Sequence, residues 1–283
     1  MKIVSSGRAA LLWGLSVFAC CLAHPAVSVP AEAPLPAVHP QAKNRYSAVL
    51  MWHDVVAKRK EVWFDTTTAE LEGQFRTMKQ AGLTPVTLDQ LADHLEKGAP
   101  IAKGAVVLTF DDNNLGLYHH LWPLLKRYRW PAVLFVHTDY VGKPTSKEHC
   151  TWAQLKEMEQ SGYVKVYPHT ASHPADLRKL SDKQLEKEML APRLLMEKQL
   201  GGSRSHVSYS NGFYNERVAR AAAKAGYRLG ITEDWGAAEQ SRNLLMLRRY
   251  SMHKRADQAI RDVARGMGRP DLTQSRKDAK KAR

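Results

Sequence analysis

Cysteine is scarce, with three residues in a chain of 283, so no disulfide framework holds this fold. Long apolar runs are missing beyond the first twenty or so residues, which excludes a polytopic membrane protein. No internal sequence repeat is found. With 44% hydrophobic and 25% charged residues, 17 Gly and 14 Pro, the composition also excludes wholesale disorder, collagen-like repeats and a coiled-coil rod. The length suits one large α/β domain or two small ones, and a core of ~200 residues needs no staples.

The net charge is +14, but the excess is not spread evenly. Residues 254–283 carry ten Lys/Arg against four Asp, and no long basic block occurs elsewhere. This end reads first as a solvated, mobile tail, next as a contact for an anionic membrane or envelope polymer, and only third as a nucleic-acid arm. No nucleic-acid partner is expected, and the protein is expected to be a monomer.

Lys2 and Arg8 precede the apolar residues 9–19, a charged region followed by an apolar one too short to span a bilayer comfortably. Residues 1–28 therefore read as an export signal and residues 29–44 as a Pro/Ala-rich linker. Val17-Phe18-Ala19-Cys20 resembles a lipobox, which makes Cys20 a candidate lipid anchor. Either reading puts the mature protein in the periplasm, on the cell surface or in the medium.

From residue 46 onward, short apolar runs alternate with helical patterns. Runs at 47–52, 85–87, 105–110, 131–136, 163–167, 206–209 and 227–231 predict strands. Apolar spacing predicts helices over 68–81, 88–96, 152–161, 180–200 and 216–225, and another from the end of the 105–110 strand to about residue 128. Repeated strand–helix units of this size argue for a parallel sheet with helices outside, and seven or so of them for a barrel. The folded domain is placed at 45–253 and the tail at 254–283.

In such barrels chemistry collects where strands end and the following loops begin. Asp111-Asp112 directly follow the strand ending Thr109-Phe110. Adjacent carboxylates repel, and a divalent cation relieves this if one ligates while the other stays free as a base. His169 and His173 follow another strand, and their i, i+4 spacing puts both rings on one face if the segment turns helically. Two histidines and one carboxylate form a metal set with positions left open for water and substrate. His53 closes the first strand and is a general-acid candidate, while His119, His120 and His253 read as structural or exposed. Tyr209-Ser210-Asn211-Gly212 ends a further strand. Asp234-Trp235 follow the last one, with Trp235 offering an apolar face to a sugar ring or simply packing.

Several of these residues resemble a known family. Thr109-Phe110-Asp111-Asp112 resembles the TFDD motif of polysaccharide deacetylases, the NodB-homology group also called carbohydrate esterase family 4. His169-Thr170-Ala171-Ser172-His173-Pro174 is similar to that family's H[ST]xxH motif. Val49-Leu50-Met51-Trp52-His53-Asp54 resembles the opening of the subgroup that deacetylates poly-β-1,6-N-acetylglucosamine. The resemblance covers about residues 45–252. It implies a distorted (β/α)7 barrel and a divalent metal, zinc by ligand type, with cobalt, nickel or iron also accepted. Carried over residue by residue, it makes Asp111 the base, Asp112, His169 and His173 the ligands, and His53 the acid. The Asn211 backbone N–H becomes an oxyanion donor, and Tyr209, Asp234 and Trp235 are expected to meet a polysaccharide substrate. The implied reaction removes acetyl groups from an N-acetylglucosamine polymer of a biofilm matrix; peptidoglycan, chitin, a lipid-linked sugar, or a glycan-binding barrel without activity are the alternatives. Two departures stand out. Asn113 replaces the family's Gly, although Asn tolerates positive φ. The Arg that steadies the base in relatives is missing from the Tyr209–Gly212 stretch, where Asn211 replaces a Tyr.

Overall fold

The computed structural model describes residues 34–44 and 46–268. The export signal, the lipobox and residues 269–283 lie outside the described residues. In chain order the elements are β1 (Ala48–Trp52), β2 (Val55–Val56), β3 (Thr66–Thr67), α1 (Thr68–Gln80), β4 (Thr84–Pro85), α2 (Leu88–Lys97) and β5 (Ala105–Asp111). A π-helical turn (Leu117–Leu121) leads into α3 (Trp122–Tyr128), followed by β6 (Ala132–Val136), α4 (Trp152–Gln160) and β7 (Val164–Pro168). Then come α5 (Asp182–Leu200), β8 (His206–Ser208), α6 (Glu216–Lys224), β9 (Leu229–Ile231), β10 (Tyr250–Ser251) and α7 (Met252–Gly266).

β10, β1, β5, β6 and β7 lie side by side, all parallel. β8 and β9 pair in parallel, and Leu247 bridges to Ile231 of β9. With helices outside, these seven strands form the distorted (β/α)7 barrel expected from the sequence. β1 and β5 are buried along their whole length, as strands covered on both faces must be. Alternation divides them: Leu50, Trp52, Val106, Leu108 and Phe110 pack outward under the helices, whereas Val49, Val107, Val133 and Phe135 fill the other side. Asp111 shares the parity of Val107, which turns its carboxylate inward at the mouth.

Helix starts follow the sequence closely. Thr67, Thr87, Thr151 and Ser181 each cap a helix, with Glu70, Gln90, Gln154 and Gln184 closing capping boxes. Two expectations need correction. The chain does not enter a helix directly after Asp111; a turn with Asp112 and Asn113 at φ 76° and 60° comes first. The basic C-terminal segment does not begin as a tail either. β10 pairs with β1, and α7 buries Met252, Ala259, Ile260 and Val263 in the core, so the boundary at 253/254 falls inside a packed helix.

Candidate active site

Strand register assembles the mouth. Trp52 pairs with Phe110, Asp111 with Phe135, and Val136 with Pro168. His53, Asp112, His137 and His169 each immediately follow one of these strands, so they emerge at one level. The β1–β10 pairing sets Met51 opposite Ser251, and His53 and His253 follow just beyond it. Their rings stand 5.2 Å apart. His253, read from sequence as structural or exposed, is brought beside His53 by β10, which ends two residues before it.

His169 and His173 converge without a helical turn. The segment is a loop in which Thr170 and His173 take positive φ, 65° and 53°. Glu188 of α5, itself buried, holds this shape by accepting from the Ala171 and Ser172 N–H groups, both at 2.9 Å, and from the Ser172 hydroxyl at 2.6 Å. Asn113 meets the backbone demand made of it: at φ 60° it keeps the turn, and its side-chain amide donates to the Cys150 carbonyl at 3.1 Å.

Asp112 Oδ1 lies 3.6 Å from His169 Nε2 and 3.5 Å from His173 Nε2. His169 Nδ1 is 3.0 Å from the Ser208 carbonyl, which can only accept, so the proton sits on Nδ1 and the Nε2 lone pair faces Asp112. Burial holds His169 well below the usual histidine range and also lowers His173, keeping both rings neutral. Asp112 Oδ1 is buried and meets no hydrogen-bond donor. Asp112 Oδ1, the His169 Nε2 lone pair and a neutral His173 ring thus converge on one point. A divalent cation fits this donor set, and ligands ~2.1 Å from a tetrahedral zinc would stand about as far apart as these do.

Asp111 is fully buried. Burial alone would raise its pKa, but the Arg249 charge outweighs this and holds it at about 2. Arg249 Nη1 donates to Oδ1 at 3.1 Å and Nη2 lies 2.7 Å from Oδ2. The arginine missing from the Tyr209–Gly212 stretch is thus supplied from the segment before β10. Burial, with help from the Asp111 charge, pushes Asp112 the other way, to about 6. Glu233, raised by burial, adds a carboxylate 3.8 Å from Arg249 Nη2.

The substrate-contact assignments fare differently. Tyr209 is fully buried, its hydroxyl donating to the Leu245 carbonyl at 2.9 Å, so it is a core residue and not a substrate contact. Trp235 is half-buried and packs edge-on against Tyr250 at 4.9 Å at the core margin. Asp234 is exposed and accepts from the Tyr214 hydroxyl at 2.5 Å. Asn211 is exposed at φ 54°, and its side chain donates to the Pro174 carbonyl at 3.3 Å, tying its loop to the one that carries His173. Gly212 is required there, because a Cβ would sit 2.8 Å from that of Glu233.

A cavity of about 210 Å³ opens beside Asp112 and His173, walled by Phe64, His137, Tyr140, Lys147 and His149. Lys147 clasps it shut on one side, with Nζ 2.6 Å from Asp54 and 2.7 Å from Asp65. Lys147→Met would strand two buried carboxylates, so we expect a loss of about 3 kcal/mol. A thermal melt should then show a Tm roughly 6–12 °C lower; an unchanged Tm would contradict the clasp.

This barrel, with a carboxylate pair and two histidines at its mouth, defines a class: the NodB-type α/β hydrolases. Residues 99–230 match the family model of polysaccharide deacetylases. A Streptococcus pyogenes deacetylase, PplD, solved in complex with acetate, superposes with a TM-score of 0.70 at 26% identity, over 78% of this chain and 98% of that one. IcaB from Ammonifex degensii shares the fold, with a TM-score of 0.69 at 22% identity over 79% of this chain and 97% of that one. The poly-β-1,6-N-acetyl-D-glucosamine N-deacetylase of Escherichia coli K12 is 30% identical over 147 residues, 47% of this chain and only 22% of that protein's length. Residues 99–230 thus form a polysaccharide deacetylase domain, of the family that hydrolyses the amide bond of N-acetyl groups.

Proposed function

We propose that this protein is a metal-dependent N-deacetylase acting on an exported polymer of N-acetylglucosamine, poly-β-1,6-N-acetylglucosamine of a biofilm matrix before others. The observation that carries this reading is the convergence of Asp112, His169 and His173 beside an Asp111 held ionised by Arg249. Asp112, His169 and His173 would hold a divalent ion, zinc by donor type, which would supply Lewis acidity to an acetyl carbonyl and to water. Asp111 takes the proton of the attacking water, and Arg249 fixes where its oxygens point. The Asn211 backbone N–H, on the loop tied to Pro174, helps hold the oxyanion. His53 gives a proton to the leaving amine, so acetate departs and the sugar keeps a free amine.

The substrate linkage rests on the Escherichia coli relative's name and on the opening around His53. A comparison of β-1,6 with β-1,4 N-acetylglucosamine oligomers tests it: faster acetate release from β-1,6 supports the reading, and faster release from β-1,4 moves the substrate to peptidoglycan or chitin. Export is proposed from residues 1–28, with envelope contact through Cys20 or the basic C-terminal segment. No helix among the described residues is long and apolar enough to cross a membrane.

The acid is assigned to His53 rather than its neighbour His253, because His53 directly follows β1 at the level of Asp112 and its buried Nδ1 has no hydrogen-bond partner among the described residues. His253 instead has Nε2 2.9 Å from the Ser251 hydroxyl. His53→Ala should keep the metal and lower turnover by ~10²–10⁴-fold, whereas His253→Ala should cost little. Metal content and kcat of the two variants decide; the reverse pattern moves the acid to His253.

A further inference from the structure

Exposed aromatic side chains near the mouth are few among the described residues. Phe213 is 44% exposed, but the Arg178 guanidinium covers its ring at 4.7 Å. Trp63 is 61% exposed and stands on the other side of the mouth. Its ring meets Phe64 edge-on at 5.4 Å and His253 at 4.9 Å, and both of those rings lie 5.2 Å from His53. Phe64 in turn lines the cavity beside Asp112 and His173. A chain of ring contacts thus links the reacting centre to Trp63.

A lone exposed tryptophan needs no explanation by itself. This one sits on a turn built to hold it still. Asp65, the residue after Phe64, accepts from the Glu61 and Val62 N–H groups at 2.8 and 3.1 Å. Lys147 then clamps Asp65 from across the cavity at 2.7 Å. A large ring kept in water on a rigid turn suits a ligand with a flat apolar face and a rim of hydroxyls. A pyranose ring has that shape: its C–H face stacks on the indole, and its hydroxyls stay in water.

We propose that Trp63 is a saccharide-binding platform that takes the sugar next to the residue being deacetylated, on the His53 side of the mouth. The proposal deepens the polysaccharide reading above and rests on it. It explains how a small cavity, with room for an acetamido group, engages a polymer: the neighbouring sugar is held outside the cavity, on Trp63. Trp235, the sequence-based choice for this task, is packed against Tyr250 and cannot fill it.

The test uses the zinc-loaded protein, its Trp63→Ala and Trp63→Phe variants, a β-1,6 N-acetylglucosamine pentamer and an activated aryl acetate. Trp63→Ala should raise KM for the pentamer roughly 3–10-fold with kcat within about twofold, Trp63→Phe should recover most of the loss, and aryl acetate hydrolysis should not change. Calorimetric binding of the pentamer in an Asp111→Asn background should weaken by the same factor. Equal KM and Kd in wild type and Trp63→Ala would overturn the platform while leaving the deacetylase reading intact. Parallel loss on aryl acetate would make Trp63 a structural residue and overturn it too. Pentamer binding that depends on Trp63, without acetate release by the wild type, would keep the platform and reject the substrate reading. No pentamer binding at all would reject both.

Discussion

Alanine in place of Asp112 is expected to abolish divalent-metal binding and to lower acetate release by at least ~10⁴-fold. Its Oδ1 is the atom that both imidazole nitrogens face, at 3.6 and 3.5 Å, so its loss leaves two neutral histidines and no anionic ligand. The same carboxylate weakens the metal-free protein. Held up at about 6, it carries a proton in the folded state over a range of pH where the unfolded chain has already lost it. Stability of the metal-free protein therefore falls as pH rises from ~4 to ~6, and a deficit of about 2–3 kcal/mol persists above that. Asp112→Asn should raise the Tm of chelated protein at pH 7 and erase the Tm gain that zinc gives the wild type. Melting curves with and without zinc check this; an equal zinc gain in the variant would contradict the ligand assignment.

Arg249→Met is expected to have the second largest effect, this time on folding and on the base together. It leaves Asp111 fully buried with its main counter-charge gone, which costs about 3–5 kcal/mol. With its largest opposing charge gone, burial should raise the Asp111 pKa from about 2. The base must be ionised to act, so the acid limb of the kcat/KM profile should move to higher pH. Arg249→Lys keeps the charge without the two-pronged geometry and should recover stability more than rate. A variant with wild-type Tm and an unmoved acid limb would remove Arg249 from the site.

The parts of the site that could be read from sequence are those carried by short stretches: apolar strands ending in His53, Asp111-Asp112 and, one residue past Pro168, His169. Buried parallel strands announce themselves by uninterrupted apolar runs, and the residues at their C-terminal ends are the next ones along the chain. Arg249, Glu188 and Lys147 were not legible as site residues because their partners are distant: Arg249 meets Asp111 across 138 residues, and Lys147 meets Asp54 across 93. Strand register and loop packing create those contacts, and no local pattern encodes them. β10 is two residues long, too short for a periodic signal. α7 was recoverable in principle, since Met252, Ala256, Ala259, Ile260 and Val263 recur at helical spacing, but the basic residues between them dominate the composition. The i, i+4 spacing of His169 and His173 pointed to the right pair for the wrong reason. Left-handed residues and Glu188, not a helical turn, bring the rings together.

Acetate release from a β-1,6 N-acetylglucosamine pentamer, measured on chelated and on zinc-reloaded protein, tests the central claim most directly. Reloaded protein should release acetate and expose sugar amines in equal amounts, chelated protein should release almost none, and added zinc should restore the rate. Acetate release that is the same in chelator, or that is absent from the reloaded protein, would contradict a metal-dependent deacetylase built on Asp111, Asp112, His169 and His173.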